Sequence, residues 1–153
     1  MPYPHKTILL NGRRIAIQKI VEGTIRGDTP FEISTLLFIK NWLAGKQKFQ
    51  LKTSGSTGIP KKITASRRQL EGSARLTIQA LRLKKGGKLF LCIDTQYIGG
   101  IMMLVRAFVN VMKIEGIEPT SFKELKKIPT NDLTALVPLQ AQTICKSKGL
   151  VKE

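Results

Sequence analysis

Apolar and polar residues change rhythm several times along this chain, and each change predicts an element. Residues 6–10 (KTILL) and 13–17 (RRIAI) flank Asn11-Gly12. Both members of that pair tolerate positive φ, so a type I′ turn and a β-hairpin are expected. In Asp28-Thr29-Pro30-Phe31-Glu32, a Thr suited to the N-cap precedes a Pro at the first helical position and a Glu three residues past the cap. A helix over 30–44 follows, closed by Gly45. Residues 49–52 read as a short strand that leads into a loop of Gly, Ser and Thr. Ser66-Arg67-Arg68-Gln69 offers a second capping box, and Leu70, Ala74, Thr77, Ile78 and Leu81 recur behind it at helical spacing. An amphipathic helix to about residue 83 is expected there.

After a Lys84-Lys85-Gly86-Gly87 turn, residues 88–93 form a compact apolar run of the kind buried in a parallel sheet. A nearly all-apolar helix over 98–112, a strand over 114–117 and a short helix over 122–127 come next. A strand over 133–137, stopped by Pro138, and a helix over 139–146 complete the pattern. The alternation predicts an α/β fold, a mostly parallel sheet with flanking helices, preceded by the hairpin. No internal repeat or low-complexity linker divides the chain, so residues 1–153 are expected to form one domain.

Composition narrows the function classes. With 153 residues and 42% hydrophobic content, the chain can bury a core and is not expected to be disordered. The longest strongly apolar stretch, 98–112, is too short to span a bilayer and contains Arg106 and Asn110. No membrane span is expected. The first residues, MPYPHKTILL, lack the basic, apolar and cleavage regions of a signal peptide, and a cytoplasmic location is expected. Cys92 and Cys145 have neither metal-ligand nor redox spacing and read as inert thiols. The net charge of +16 raises the alternative of a non-catalytic basic module that binds nucleic acid or another polyanion. Against specific nucleic-acid binding, the basic residues are scattered from Arg13 to Lys148 without an aromatic-interleaved patch. The lone histidine, His5, reads as a surface residue.

The loop TSGSTGIPKK, residues 53–62, carries the chemistry. A run of small residues after a strand exposes backbone N–H groups that converge on an anion, and Ser or Thr hydroxyls add donors without bulk. Thr53, Ser54, Gly55, Ser56, Thr57 and Gly58 supply that run, Pro60 stiffens its exit, and Lys61 or Lys62 brings a cation for polyphosphate. The Walker A pattern is absent, because Pro60 stands where that motif needs Gly.

The same residues resemble the phosphate-loop signature [ST]SG[ST]TGxPK of the acyl-adenylate-forming superfamily, with Ile59 at the variable position. A second stretch runs from Asp94-Thr95-Gln96-Tyr97-Ile98-Gly99-Gly100 through Arg106-Ala107, and is followed by Glu118-Pro119 and Val137-Pro138-Leu139-Gln140. It is similar to the short o-succinylbenzoate–CoA ligases of menaquinone biosynthesis, where a YIAGKMM-like helix start shapes the acyl pocket. Gly100 and Ile101 depart from that pattern. The resemblance implies the N-terminal subdomain of an AMP-forming ligase that takes a small carboxylic acid, ATP with Mg²⁺, and coenzyme A. An enzyme that adenylates another acyl or aryl acid is the alternative. It implies Thr53, Ser54, Gly55, Ser56, Thr57, Gly58 and Lys61 as ATP-phosphate residues, and Thr57 as a neighbour of the metal. Tyr97, Ile98, Gly99, Gly100 and Arg106 become candidates for the acid pocket. A buried acid partner for Arg106, and plain core roles for Met102, Met103, Leu104, Val105 and Phe108, stand beside that reading.

The family's YGxTE motif, its ribose-binding Asp in TGD and its late lid Lys do not occur in these 153 residues. The chain is therefore expected to be a partial adenylation domain, to need the remaining C-terminal part of the ligase as its partner, and to be inactive alone. No catalytic residue is assigned within it.

Overall fold

Asn11 and Gly12 adopt φ 48° and 77° in the computed structural model, the left-handed pair that a two-residue hairpin turn requires. The structure describes residues 3–53, 60–119 and 128–146. Strand β1 (Thr7–Leu10) turns there into β2 (Arg13–Ala16), with Leu10 opposite Arg13 and Ile8 opposite Ile15. A short helix α1 (Ile17–Glu22), which the pattern does not predict, follows directly. Helix α2 (Pro30–Leu43) starts as expected, with the Thr29 hydroxyl accepting from Glu32 N at 3.2 Å and Pro30 in the first turn. Glu32 does not close a capping box with Thr29. Its buried carboxylate accepts from Asp28 N (2.9 Å), Asn11 Nδ2 (2.9 Å) and Arg13 Nη1 (3.2 Å), which fastens the hairpin turn to the helix.

The expected strand before the loop is β3 (Lys48–Lys52), but it does not join the main sheet. It pairs antiparallel with β4 (Lys62–Ser66), a strand the sequence pattern missed. Ser66 then caps α3 (Arg67–Ala80) in the expected capping box with Gln69. Strand β5 (Lys88–Leu91), helix α4 (Ile98–Val109) and strand β6 (Lys113–Gly116) form a right-sized β-α-β unit whose two strands are parallel. Strand β7 is only Leu133–Thr134, and Pro138 starts α5 (Pro138–Lys146) rather than merely stopping a strand. Gln140 makes that start work, because its Oε1 accepts from Val137 N and its Nε2 donates to Cys92 O. The helix expected at 122–127 lies outside the described residues.

The main sheet has the order β2-β1-β6-β5-β7 and is parallel except for the β1–β2 hairpin. The expected α/β fold with a mostly parallel sheet and flanking helices is therefore the observed one. Its first face buries Ile8, Leu10, Ile15, Leu89, Leu91 and Ile114 in one core with the apolar residues of α2 and α4. Phe90 and Cys92 point to the second face, where Ile117, Ile128, Leu136 and Ile144 cover them.

Candidate functional site

The β3–β4 hairpin carries the loop, and its position is set from below by aromatic packing. Phe49 lies 5.3 Å from Phe38 and 5.6 Å from Trp42 between ring centroids, and Trp42 stacks on Phe108 of α4 at 6.0 Å. The Arg67 guanidinium covers the Trp42 ring at 4.0 Å, donates to Trp42 O at 2.9 Å and pairs with Glu71. Arg67 N also donates to Gln47 O at 2.7 Å. The hairpin is thus held at its base, while β4 carries no buried residue.

At the far end, Thr53 N donates to Lys61 O at 3.0 Å, and Lys61 N donates to the Thr53 hydroxyl at 3.2 Å. This double clasp pins both ends of the loop. Lys52 is directly opposite Lys62, and Lys61 beside them is exposed. Like charges in opposed positions destabilise a strand pair unless an anion lies between them. A polyphosphate chain is one such anion. Ser54, Gly55, Ser56, Thr57 and Gly58 lie outside the described residues, so of the loop candidates only Thr53 and Lys61 have a described place.

The connection from β5 to α4 is also rigid. The Asp94 carboxylate accepts from Gln96 N at 2.8 Å, and Asp94 O accepts from Tyr97 N at 3.3 Å. Thr95 is buried, with its hydroxyl 2.6 Å from Ser34 Oγ and 2.8 Å from Thr35 Oγ1 on α2. A Cβ on Gly100 would lie 2.4 Å from Asp94 O, so this glycine lets the helix start pack on its own loop. Gly99 is exposed, and Tyr97 and Ile98 are half-buried.

Arg106 lies nine residues further along the chain than Tyr97, about two and a half helical turns away. Its expected acid partner is not present among the described residues. Nη1 approaches Met103 Sδ at 3.7 Å, Nε is buried without a hydrogen-bond partner among the described residues, and burial lowers the pKa of the guanidinium. Met102, Met103, Leu104 and Val105 are core residues, as the simpler reading of an all-apolar helix expects.

A cleft of ≈ 550 Å³ runs between α2, the middle of the hairpin and the β5–α4 connection. Phe38, Phe49 and Ile101 give it an apolar base, and Ser34, Asn41, Gln50, Thr64, Thr95 and Gln96 give it a polar rim. Thr95 and Gln96 follow the carboxyl end of parallel strand β5, the usual place for a ligand in an open α/β sheet. Ser34 and Asn41 were not singled out. Their signal was their spacing, two polar residues seven apart and so two turns apart on one side of a helix that also carries Glu32, Thr35 and Lys40.

The two cysteines differ. Cys92 is buried, its sulfur donates to Ala135 O at 3.5 Å, and burial pushes its pKa up to about 12. Cys145 is exposed. Burial also raises the Tyr3 phenol, which donates to Met112 O at 2.5 Å. No group of three His, Cys, Asp or Glu suited to a metal occurs among the described residues, and no helix among them is long and apolar enough to cross a membrane.

No protein-family model and no curated protein matches the chain. Among solved structures, the acyl-CoA synthetase (AMP-forming)/AMP-acid ligase II-like protein from Dyadobacter fermentans is similar, at 37% identity and a TM-score of 0.73. The match covers 84% of this chain and 37% of that one, so the chain spans little more than a third of its relative's length. This chain is therefore related in fold and sequence to an AMP-forming ligase-like protein.

Proposed function

We propose that the chain is the front part of an AMP-forming acid–CoA ligase, a partial adenylation domain whose remaining C-terminal part completes the active site. The observation that carries this reading is TSGSTGIPKK at the end of a hairpin whose flanks gather Lys52, Lys61 and Lys62. The relationship to the Dyadobacter fermentans protein supports it. In the intact enzyme a substrate carboxylate oxygen attacks the ATP α-phosphate, the bond to the β-phosphate breaks, and pyrophosphate leaves. The acyl carbon then passes from AMP to the thiol sulfur of coenzyme A. Negative charge grows on the departing phosphates, and donors fixed in advance stabilise it at no cost in reorganisation.

Thr53 and Lys61 hold the loop ends in register, and Lys61 and Lys62 supply the charge. Ser54, Gly55, Ser56, Thr57 and Gly58 contribute hydroxyls and backbone N–H groups by the resemblance. Magnesium bound with ATP would neutralise phosphate charge, with Thr57 the candidate hydroxyl neighbour by the resemblance and the acidic ligand of the family's YGxTE motif not contained in these residues. The acid site is proposed at the start of α4, around Tyr97, Ile98, Gly99 and Gly100, with o-succinylbenzoate as the substrate and another acyl or aryl acid as the alternative. The polar rim of the adjoining cleft suits an acid with a second polar group better than a plain fatty acid. A cytoplasmic location goes with this reading.

Pyrophosphate release tests it. This chain, co-expressed with the unmatched remainder of the Dyadobacter fermentans protein, is offered ATP, Mg²⁺ and either o-succinylbenzoate, benzoate or octanoate. Turnover is expected to be fastest with o-succinylbenzoate, absent from this chain alone, and at least about tenfold lower in Lys61→Ala, the worth of one charge-assisted phosphate contact. Preference for another acid would overturn the substrate assignment alone. No release with any acid from a folded complex would overturn the ligase reading.

A further inference from the structure

The second face of the main sheet carries a charge pattern that the phosphate loop does not use. Ile8, Leu10, Ile15, Leu89 and Ile114 face the core, so their strand neighbours Leu9, Arg14, Lys88, Lys113 and Glu115 face the other way. The register places Arg14, Leu9, Glu115 and Phe90 in one row across four strands. The next row sets Lys113 directly beside Lys88. Neighbouring strands are about 4.8 Å apart, so these two exposed ammonium groups sit on adjacent stems. Lys6 and Arg14 line the same groove, which has a volume of ≈ 370 Å³ and is walled by residues 129–131. Among the described residues, Glu115 is the one carboxylate that lines it. Among the described residues, none of the four cations makes an ion pair.

Like charges opposite each other on a sheet weaken it, and a parallel sheet normally has helices over both faces. Helix α5 and residues near it cover the part of this face over Phe90 and Cys92. Among the described residues, nothing covers the part over β2, β1 and β6, which keeps a groove instead.

We infer that this groove is a docking surface for an acidic helix of another polypeptide, one whose carboxylates pair with Lys88, Lys113, Arg14 and Lys6 while its apolar residues rest on Leu9. A helix fits because successive turns rise by about 5.4 Å, close to the spacing between strands, so carboxylates one turn apart meet cations on adjacent strands. The repulsion between Lys88 and Lys113 is then relieved on binding. The inference does not depend on the ligase reading.

The probe is a synthetic helical peptide of about 20 residues with Glu along one face and Leu beside it, together with a twin carrying Gln for Glu. Titration of the full chain is followed by backbone amide shifts. The Glu peptide is expected to shift Leu9, Glu115 and Lys113, and the Gln twin to bind at least about tenfold more weakly. Lys88→Glu with Lys113→Glu should cost a further tenfold or so, whereas Arg68→Glu with Lys84→Glu, an equal change of net charge elsewhere, should cost less than about twofold. Lys113→Glu alone should raise the melting temperature while weakening the peptide, which separates lost docking from lost folding. Equal losses in the two double variants would reduce the effect to net charge and overturn the inference. So would stronger lysine-dependent binding at this groove by tripolyphosphate or single-stranded DNA than by the Glu peptide.

Discussion

The two sheets of this molecule are built on opposite terms. In the five-stranded sheet, Leu10, Leu89 and Leu91 are 0% exposed, and all strand pairs but the β1–β2 hairpin are parallel. In the two-stranded hairpin, Phe49 and Leu51 are buried on β3, and β4 buries nothing. A lone hairpin is marginal in water, so this one derives its order from α2 through Phe38 and Trp42. The first sheet therefore supplies stability. The second presents charge, and it opposes Lys52 to Lys62 at a cost that a buried strand pair could not bear. The main sheet also sets one like pair side by side, Lys88 and Lys113, and in both sheets these pairs stand at exposed positions, which keeps their cost out of the core.

Leu91→Ala should break the contrast most widely. It opens a cavity at the centre of the main sheet and should cost about 4 kcal/mol, with cooperative loss of the whole fold in urea. Phe49→Ala should cost less, up to about 3 kcal/mol, because the loss is capped by what docking of the hairpin contributes. Hydrogen exchange should quicken at β3 and β4 and stay slow at β5 and β6. Uniform acceleration would refute the independence of the two sheets.

Arg106→Met should be stabilising, by about 1 kcal/mol, since it removes a half-buried guanidinium whose Nε has no partner. The measurement is the urea midpoint.

Alkaline pH probes both faces of the main sheet, through Cys92 on the second and Tyr3 against the first. The buried Cys92 thiol has its pKa raised by burial to about 12, and Tyr3 is raised by the same cause. Each binds its proton more tightly folded than unfolded. Their contribution is full below the unfolded pKa values, near 9 for the thiol, and is lost as pH rises toward the folded ones. Melting temperature should fall over that window, and less steeply in Cys92→Ala. A thiol reagent at neutral pH should modify exposed Cys145 and spare buried Cys92, and equal protection of both would support the reading of both thiols as inert.

How much of this was legible in the sequence varies with the range of the interaction that decides it. Asn11-Gly12, Thr29-Pro30 and Ser66 with Gln69 are local devices, and each produced the turn or cap it predicts. Strand β4 escaped although Lys62–Ser66 alternates polar and apolar residues, because the run is only five residues long, buries none of them, and pairs with β3 across the loop. Helix α1 is too short to establish a period. Pro138 was ambiguous, since the residue that ends one element is also favoured at the first position of a helix. The site divides the same way. The loop proposed to bind phosphate is contiguous and readable, whereas the cleft joins Ser34 of α2, Thr64 of β4 and Thr95 of the β5–α4 connection. The row of Lys88 beside Lys113 exists only in the register of β5 and β6.

The central claim is that the hairpin end is a polyphosphate site, and nucleotide binding graded by phosphate number tests it most directly. Calorimetric titration of the chain with AMP, ADP and ATP should give affinities that rise with each phosphate. The gain should shrink by about tenfold for ATP in Lys61→Ala and change little for AMP. Equal affinity for all three nucleotides, or an ATP affinity untouched in Lys61→Ala and Lys62→Ala, would contradict it.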